Sequence, residues 1–233
     1  MIQSLDALFA ATVLFVGGHF LLSSEPVRGP LYRWLGGQGF VTVYSLAVTG
    51  ALLWMAAEYG AAPIRPVWNP PPEARWIPVV LTPLASILVV AGLTTRSPTL
   101  LGGERFASGL DDPAPGILRV TRHPFLCGAA IWAVSHLAVN GDLASIMVFG
   151  GILVLAGGGM LHIDYKREQS MGAQWGPVKL TTSTLPLLAI AVGRTRMDWA
   201  GLGWLRPLGG LLLYLALLFG HPWLFGVYAL PPL

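Results

Sequence analysis

The distribution of apolar residues along the chain predicts a series of membrane-spanning helices. Stretches of about the length needed to cross the hydrocarbon core of a bilayer recur along the sequence. They lie at residues 5–24, 40–60, 77–94, 123–140, 143–163 and 202–221. A further apolar stretch, 183–193, is too short to span and is predicted to be interfacial or re-entrant. The pattern favours an all-α, polytopic membrane bundle of about six helices, with five or seven as alternatives.

Proline and glycine mark the connections between these stretches. Residues 68–73 (WNPPPE) are expected to be non-helical, because successive prolines lack donors and favour extended backbone. Residues 102–116 are polar and broken by glycine and proline, which predicts a flexible loop. Pro124 suits the first turn of the fourth helix. Glycine runs lie at 17–18, 150–151 and 157–159. They predict close helix packing or, alternatively, space for a flat ligand.

Composition and charge agree with a single integral membrane domain over residues 1–233. The chain is 54% hydrophobic and 11% charged, with a mean hydropathy of +0.65, whereas soluble domains carry about a quarter charged residues. The net charge of +3 comes from loop lysines and arginines, so nucleic-acid binding is not indicated. No small-residue cleavage site follows the first apolar stretch, which favours a retained first helix. The lone Cys127 excludes an internal disulfide.

Basic residues concentrate in the loops after the first, third and fifth predicted helices. These loops hold Arg28, Arg33, Arg96, Arg105, Arg119, Arg122, Lys166, Arg167, Lys179, Arg194 and Arg196. The loop after the second helix has only Arg65 and Arg75. By the positive-inside rule the three basic loops are cytoplasmic and both termini lie outside. The predicted location is the bacterial inner (cytoplasmic) membrane.

Two of the five histidines lie deep within predicted helices. His19 is about 13 Å from Arg28 at the boundary, and His136 is about 21 Å from Arg122, at 1.5 Å per residue. Burying an ionisable ring in lipid is costly, and such residues usually have a function. Imidazoles from separate helices can hold haem in a bundle core. The alternative for each is a packed ring hydrogen-bonded to a neighbouring helix.

Helical geometry selects which histidines could share one ligand. His123 and His136 are about 140° apart around their helix, so they cannot both face one macrocycle. The face of His136 carries the small residues Ala129 and Ala133 beside Trp132, and Gly18 lies beside His19. Small residues near each histidine would leave room for a porphyrin. His19 and His136 are therefore the predicted metal ligands, with Gly18 and Trp132 lining the cofactor.

Two charged motifs flank the predicted helices. Arg122 and His123, at the start of the fourth helix, form a positive site suited to a haem propionate, a lipid headgroup or the carboxylate of a methyl donor. Interfacial anchoring with helix capping is the alternative. Residues 162–168 (HIDYKRE) are interpreted as a solvated helix end. The sequence has no GxSxG, P-loop or CxxC motif, so hydrolase, NTPase and thiol-redox functions are not supported.

Residues 115–142 (PGILRVTRHPFLCGAAIWAVSHLAVNGD), with GGHF and WNPPP before them, resemble the NnrU family of bacterial membrane proteins. That family is associated with denitrification and nitric oxide metabolism. Residues 165–194 and the stretch LYLALLFGHP at 213–222 are similar to the zeta-carotene isomerases. The resemblance implies a haem b-dependent cis-to-trans isomerase of a polyene such as 15-cis-zeta-carotene. An electron donor is an implied partner.

In the isomerases, two axial histidines hold the haem, and the redox state of the iron alters ligation and activity. The matching positions here are His19 and His136, which the resemblance implies are also the catalytic residues. Ala133 stands where the isomerases have a cysteine. One alternative function is a haem- or nitric-oxide-related respiratory factor without turnover.

The RHP helix also resembles isoprenylcysteine and phospholipid methyltransferases, which implies S-adenosylmethionine and a lipid-like substrate. Those enzymes carry an acidic run at the end of the next helix, where this chain has Asp164 and Glu168. Methyl transfer to a lipid is therefore a further alternative, based on architecture alone.

Overall fold

The structure, a computed structural model, describes residues 5–100, 103 and 112–231. Over these residues it is helical, with an isolated β-bridge between Pro66 and Asp142. The helices are α1 (Asp6–Ser23), α2 (Glu25–Ala61), α3 (Trp76–Thr94), α4 (Pro124–Leu137), α5 (Leu143–Met171), α6 (Trp175–Thr181), α7 (Leu188–Ala191), α8 (Trp199–Leu202) and α9 (Leu205–Phe225). The predicted flexible loop 102–116, with Arg105, lies largely outside the described residues.

The helices confirm a polytopic membrane bundle. In the described part of the chain, the helical stretches containing α1, α2, α3, α5 and α9 are long and apolar enough to cross a membrane. The fourth predicted span forms α4, an apolar helix of 14 residues. At 1.5 Å per residue it is about 21 Å long, shorter than the hydrocarbon core of about 30 Å. The stretch 183–193 contains only the short helix α7. The membrane orientation stays a prediction.

Helix α2 begins much earlier than the predicted span 40–60 and bends at one residue. It has 37 residues, and Gly36 interrupts it with φ 71° and ψ 171°, a conformation that glycine adopts readily. The portion after the bend is about 37 Å long, enough for one crossing. In the portion before it, Trp34 is 81% exposed. The Arg28 guanidinium lies 5.6 Å from the centre of the Tyr32 ring, before the bend, and 5.9 Å from that of the Phe40 ring, after it.

Proline has two different effects at the predicted helix boundaries. Pro124 is the first residue of α4, as predicted. The expectation that residues 68–73 are entirely non-helical is wrong at the end of that stretch, because Pro72–Arg75 forms a 3₁₀ turn. The fixed φ of proline is compatible with the first turn of a helix, where its missing N–H needs no partner.

The chain divides into two compact units. The first comprises Met1–Pro71 and His136–Leu155, and the second comprises Pro72–Ser135 and Ala156–Leu233. Helices α4 and α5 contribute to both units. A single domain over the whole chain stays a prediction.

In the first unit, α1 packs along α2 and also meets α5. A Cβ at Gly151 of α5 would lie 2.7 Å from the Thr12 side chain and 3.3 Å from that of Val16. The loops that precede α3 and α5 also meet, because the Gly141 carbonyl accepts a hydrogen bond from the Trp68 amide at 3.0 Å. Gly151 therefore allows the close approach of α5 to α1, and Gly141 allows that of the two loops.

In the second unit, α3 lies between α4 and α9. A Cβ at Gly128 of α4 would lie 2.7 Å from the Ala85 carbonyl oxygen, and one at Gly210 of α9 would lie 2.5 Å from the Ile87 Cα. Beside these contacts is an apolar core formed by Leu88, Ala91, Ala114, Ile117, Leu118, Cys127, Met160 and Leu202. Helix–helix association in membranes depends on such close contacts between small residues.

The predicted glycine runs divide between packing and open space. Gly151 packs against α1, and Gly159 is in ordinary contact with Leu126. A Cβ would meet nothing within 4 Å at Gly17, Gly18, Gly150 and Gly157. The predicted close packing is therefore confirmed at Gly151, whereas a ligand at the open positions stays a prediction.

Replacing Gly210 by alanine is expected to lower the free energy of unfolding by about 1–3 kcal/mol, because the new methyl group meets the α3 backbone. Thermal unfolding in detergent measures the change. Gly157→Ala is the matched control, since its Cβ has open space and alanine favours a helix by up to about 1 kcal/mol. Equal destabilisation of the two variants would contradict the close contact of α3 and α9.

Candidate functional site

His19, the first predicted ligand, is half-buried on α1 and held by its own helix. Its Nδ1 lies 2.7 Å from the Phe15 carbonyl oxygen. Because a carbonyl only accepts, Nδ1 carries the proton, and Nε2 of the neutral ring keeps a lone pair. The rings of Phe15 and Tyr44 meet the imidazole edge-on, with centroids 4.7 and 6.0 Å away. This is the tautomer that metal-ligating histidines use.

His136, the second predicted ligand, is half-buried near the end of α4 and packs on α5. Its ring centroid is 5.2 Å from that of Phe149, and the ring planes are inclined by 36°. Its carbonyl accepts a hydrogen bond from the Asn140 side chain at 2.9 Å. The predicted lining residue Trp132 lies one turn earlier on α4 and is half-buried.

Both predicted ligands belong to the first compact unit. Helix α1, which carries His19, contacts α5 at Gly151, two residues after the Phe149 ring that supports His136. Gly18, beside His19, has open space where a side chain would be. The described residues include no cluster of three or more His, Cys, Asp or Glu side chains arranged to hold a metal ion. The assignment of His19 and His136 as a pair of metal ligands stays a prediction.

A second group of functional side chains lies in the second unit, around Asp164 of α5. Arg122 Nε donates to both carboxylate oxygens at 2.9 Å, and a terminal nitrogen of Arg122 also pairs with the carboxylate. His123 Nε2 lies 2.8 Å from Oδ1 of Asp164. The side chains of Arg122 and Asp164 are only 13% and 18% exposed. Asp164 therefore occupies the anion-binding position that sequence analysis assigned to an external ligand.

The irregular segment before α4 has its polar backbone groups paired. The Arg122 amide donates to the Ser183 carbonyl at 3.0 Å, and the Thr99 hydroxyl donates to the Arg122 carbonyl at 2.7 Å. The Thr121 hydroxyl donates to the Thr184 carbonyl at 2.9 Å. Non-helical backbone near a membrane is stable only where such groups are satisfied within the protein.

His123, immediately before α4, is buried with one nitrogen unsatisfied. Its side chain is 1% exposed. A carboxylate only accepts, so Nε2 carries the proton that Asp164 accepts. Nδ1 has no hydrogen-bond partner among the described residues. Burial lowers the pKa of His123 below 6.5, although the hydrogen bond and charge of Asp164 oppose that shift. The neutral ring is therefore the favoured form.

This pKa shift predicts a loss of stability in mild acid. Below about pH 6.5 the unfolded chain binds a proton at His123 more readily than the folded chain does. The free energy of unfolding therefore decreases as the pH falls below this value, and the contribution of the neutral ring is fully present above it. Melting temperatures in detergent at pH 8 and pH 5.5 measure the effect. His123→Gln keeps a donor toward Asp164 but cannot titrate, so it should lose less stability. The same pH dependence in both proteins would rule out His123 as the source.

The interpretation of residues 162–168 as a solvated helix end is wrong for two of its residues. Asp164 is enclosed by the RHP segment, and Arg167 is 7% exposed and donates to the carbonyls of Pro98 and Leu100. The sequence offers one signal of this: Asp164 is an acid close to the apolar part of α5. Its partners lie about forty residues earlier, and local pattern does not reveal such pairing.

Comparison with known proteins identifies the family. A family model described as NnrU protein matches residues 7–229. The chain belongs to the NnrU family. This confirms the resemblance of the RHP region and places both predicted ligands within the matched residues.

This NnrU-family chain is also similar to two plant enzymes. It is 29% identical over 82 residues to the chloroplastic 15-cis-zeta-carotene isomerase of Zea mays, covering 35% of this chain and 22% of the maize protein. It is 29% identical over 79 residues to the enzyme of the same name from Arabidopsis thaliana, covering 34% of this chain and 22% of that protein. The chain thus matches about a fifth of the length of these relatives. No solved structure matches it.

Proposed function

We propose that this NnrU-family protein binds haem b between His19 and His136 and isomerises a cis double bond of a polyene such as 15-cis-zeta-carotene. The observation that supports this most directly is the His19 hydrogen bond to the Phe15 carbonyl, which leaves Nε2 able to ligate iron. The similarity to 15-cis-zeta-carotene isomerases supports the substrate class.

Two residues of the first unit, His19 and His136, would supply the imidazole ligands that hold the haem. His19 and His136 come from helices that both pack against α5, and each ring is supported by a buried phenylalanine. Open space at Gly18 and Gly150 would accept a flat macrocycle without displacing a side chain. The surroundings are aromatic and aliphatic, which suits a hydrophobic cofactor.

The haem, when bound, supplies an iron centre able to exchange electron density with a conjugated double bond. The protein contributes two oriented imidazoles and an apolar environment that excludes water. A polyene is soluble in the bilayer, so it can reach such a site laterally from the lipid. Rotation about a double bond transfers no proton, so the site requires neither a general acid nor a base. A one-electron donor to the iron is the partner that this function implies.

A second candidate is an NnrU-type membrane function that uses haem without turnover. The family match covers residues 7–229, whereas the isomerase similarity covers about a third of the chain. A factor of nitric oxide metabolism would need the same pair of ligands but no polyene site. Turnover separates the two candidates.

The proposal is tested on full-length protein purified in detergent after expression with a haem precursor. We expect a Soret band in the oxidised and reduced protein. We also expect conversion of 15-cis-zeta-carotene under reducing conditions, followed by chromatography. Folded protein without a Soret band would overturn the proposal. Haem without conversion would instead support the second candidate. Calorimetric binding of S-adenosylhomocysteine by haem-free protein would favour the methyltransferase alternative.

A further inference from the structure

A chain of polar contacts fixes one aromatic side chain in the interior of the first unit. The Asp142 carboxylate accepts hydrogen bonds from the Ser145 amide at 3.0 Å and from the Ser145 hydroxyl at 2.6 Å. The serine has one hydroxyl proton, and the carboxylate takes it, so the Tyr59 hydroxyl, 2.9 Å away, donates to Ser145 Oγ. Ser145 is fully buried. The position of Tyr59 on α2 is thereby set by the start of α5.

The aromatic rings continue this chain to the predicted ligand. The Tyr59 ring meets the Phe149 ring edge-on, with centroids 5.9 Å apart and planes at 77°. Phe149 is 6% exposed and has the tilted ring of His136 5.2 Å away. The edge-to-face contact with Tyr59 has a preferred geometry, which orients the Phe149 ring. The packing of this buried ring against the imidazole in turn limits the planes that His136 can adopt.

We propose that Phe149, held by the Asp142–Ser145–Tyr59 chain, is a positioning residue that sets the plane of the His136 imidazole. This inference rests on the proposed function, because the plane affects chemistry only when the imidazole ligates iron. The relative angle of two axial imidazole planes determines how the iron d orbitals split. His19 has its own hydrogen bond to Phe15, so a change at Phe149 alters one ligand plane and leaves the other fixed.

Electron paramagnetic resonance of the oxidised haem protein tests this role, since the g values report the angle between the ligand planes. Phe149→Leu should retain haem and shift the largest g value. Tyr59→Phe removes only the hydroxyl and should shift it in the same direction by less. Phe225→Leu is the matched control, because Phe225 packs on a different histidine, His221, at 4.8 Å. That variant should have the wild-type spectrum.

The outcomes separate this inference from the proposed function. Wild-type protein without a haem signal overturns the proposed function and, with it, the role of Phe149. A wild-type signal that Phe149→Leu leaves unchanged overturns the inference alone. If Phe149→Leu does not fold, Tyr59→Phe decides: an unchanged spectrum overturns the inference, and a shifted spectrum supports it.

Discussion

Replacing His19 or His136 by alanine should lower haem retention by at least about 10-fold, because even the loss of an outer-shell partner of a ligand costs 10- to 100-fold in metal affinity. The ratio of Soret to protein absorbance in purified protein measures the effect. Free imidazole added to the alanine variants should restore part of the band, since it can occupy the vacated ligand position. A purely structural histidine would show no such rescue.

His221→Ala is the control for the two ligand variants. His221 lies near the end of α9, where Nδ1 is 2.9 Å from the Val227 carbonyl oxygen. Its ring belongs to the second unit and is not a predicted ligand. We expect wild-type haem content in this variant. Full haem retention in His136→Ala would refute the assignment of that ligand.

Replacing Asp164 by alanine should cause the largest loss of stability among the charged residues discussed here. Arg122 and His123 both depend on its carboxylate, and their side chains are 13% and 1% exposed. Removing one partner of a largely buried pair leaves the other charge uncompensated, which costs about 3 kcal/mol or more. Thermal unfolding in detergent at pH 8 measures the change, and Asp164→Asn should recover part of it.

Glu168→Gln provides the matched control on the same helix. Glu168 pairs with Lys179 at 3.1 Å, and the two side chains are 56% and 45% exposed. Exposed pairs contribute about 1 kcal/mol or less. If Asp164→Ala were no less stable than Glu168→Gln, the pairing around Asp164 would not hold the RHP segment in place.

The apolar pattern predicted the helices well where helices are apolar throughout. The predicted spans 5–24 and 77–94 agree closely with α1 and α3. The start of α2 was missed because Pro26, Pro30 and a polar surface are all unfavourable signals for a membrane helix. Proline is nevertheless compatible with the first turn of a helix, and α2 has Pro26 as its second residue before it bends at Gly36.

The candidate site could be predicted from sequence only in part. Depth and helical face select His19 and His136, but the proton position on His19 depends on a backbone carbonyl that only coordinates reveal. The partners of Asp164 and the ring beneath His136 are distant in sequence. Gly128 and Gly210 look no different in sequence from Gly157, although only the first two pack against a neighbouring backbone. Local pattern identifies candidate residues, whereas tertiary contact assigns their roles.

The bend at Gly36 has a consequence for how the protein sits in a bilayer. A straight helix of 37 residues would be about 55 Å long, and it would have to tilt strongly or thicken the surrounding lipid. The bend removes that requirement and would place the aromatic, basic segment before Gly36 at the edge of the hydrocarbon. Trp34 and Arg33 on this segment suit the headgroup layer. They would set the vertical position of α2 in the membrane, independently of the contacts that fold it.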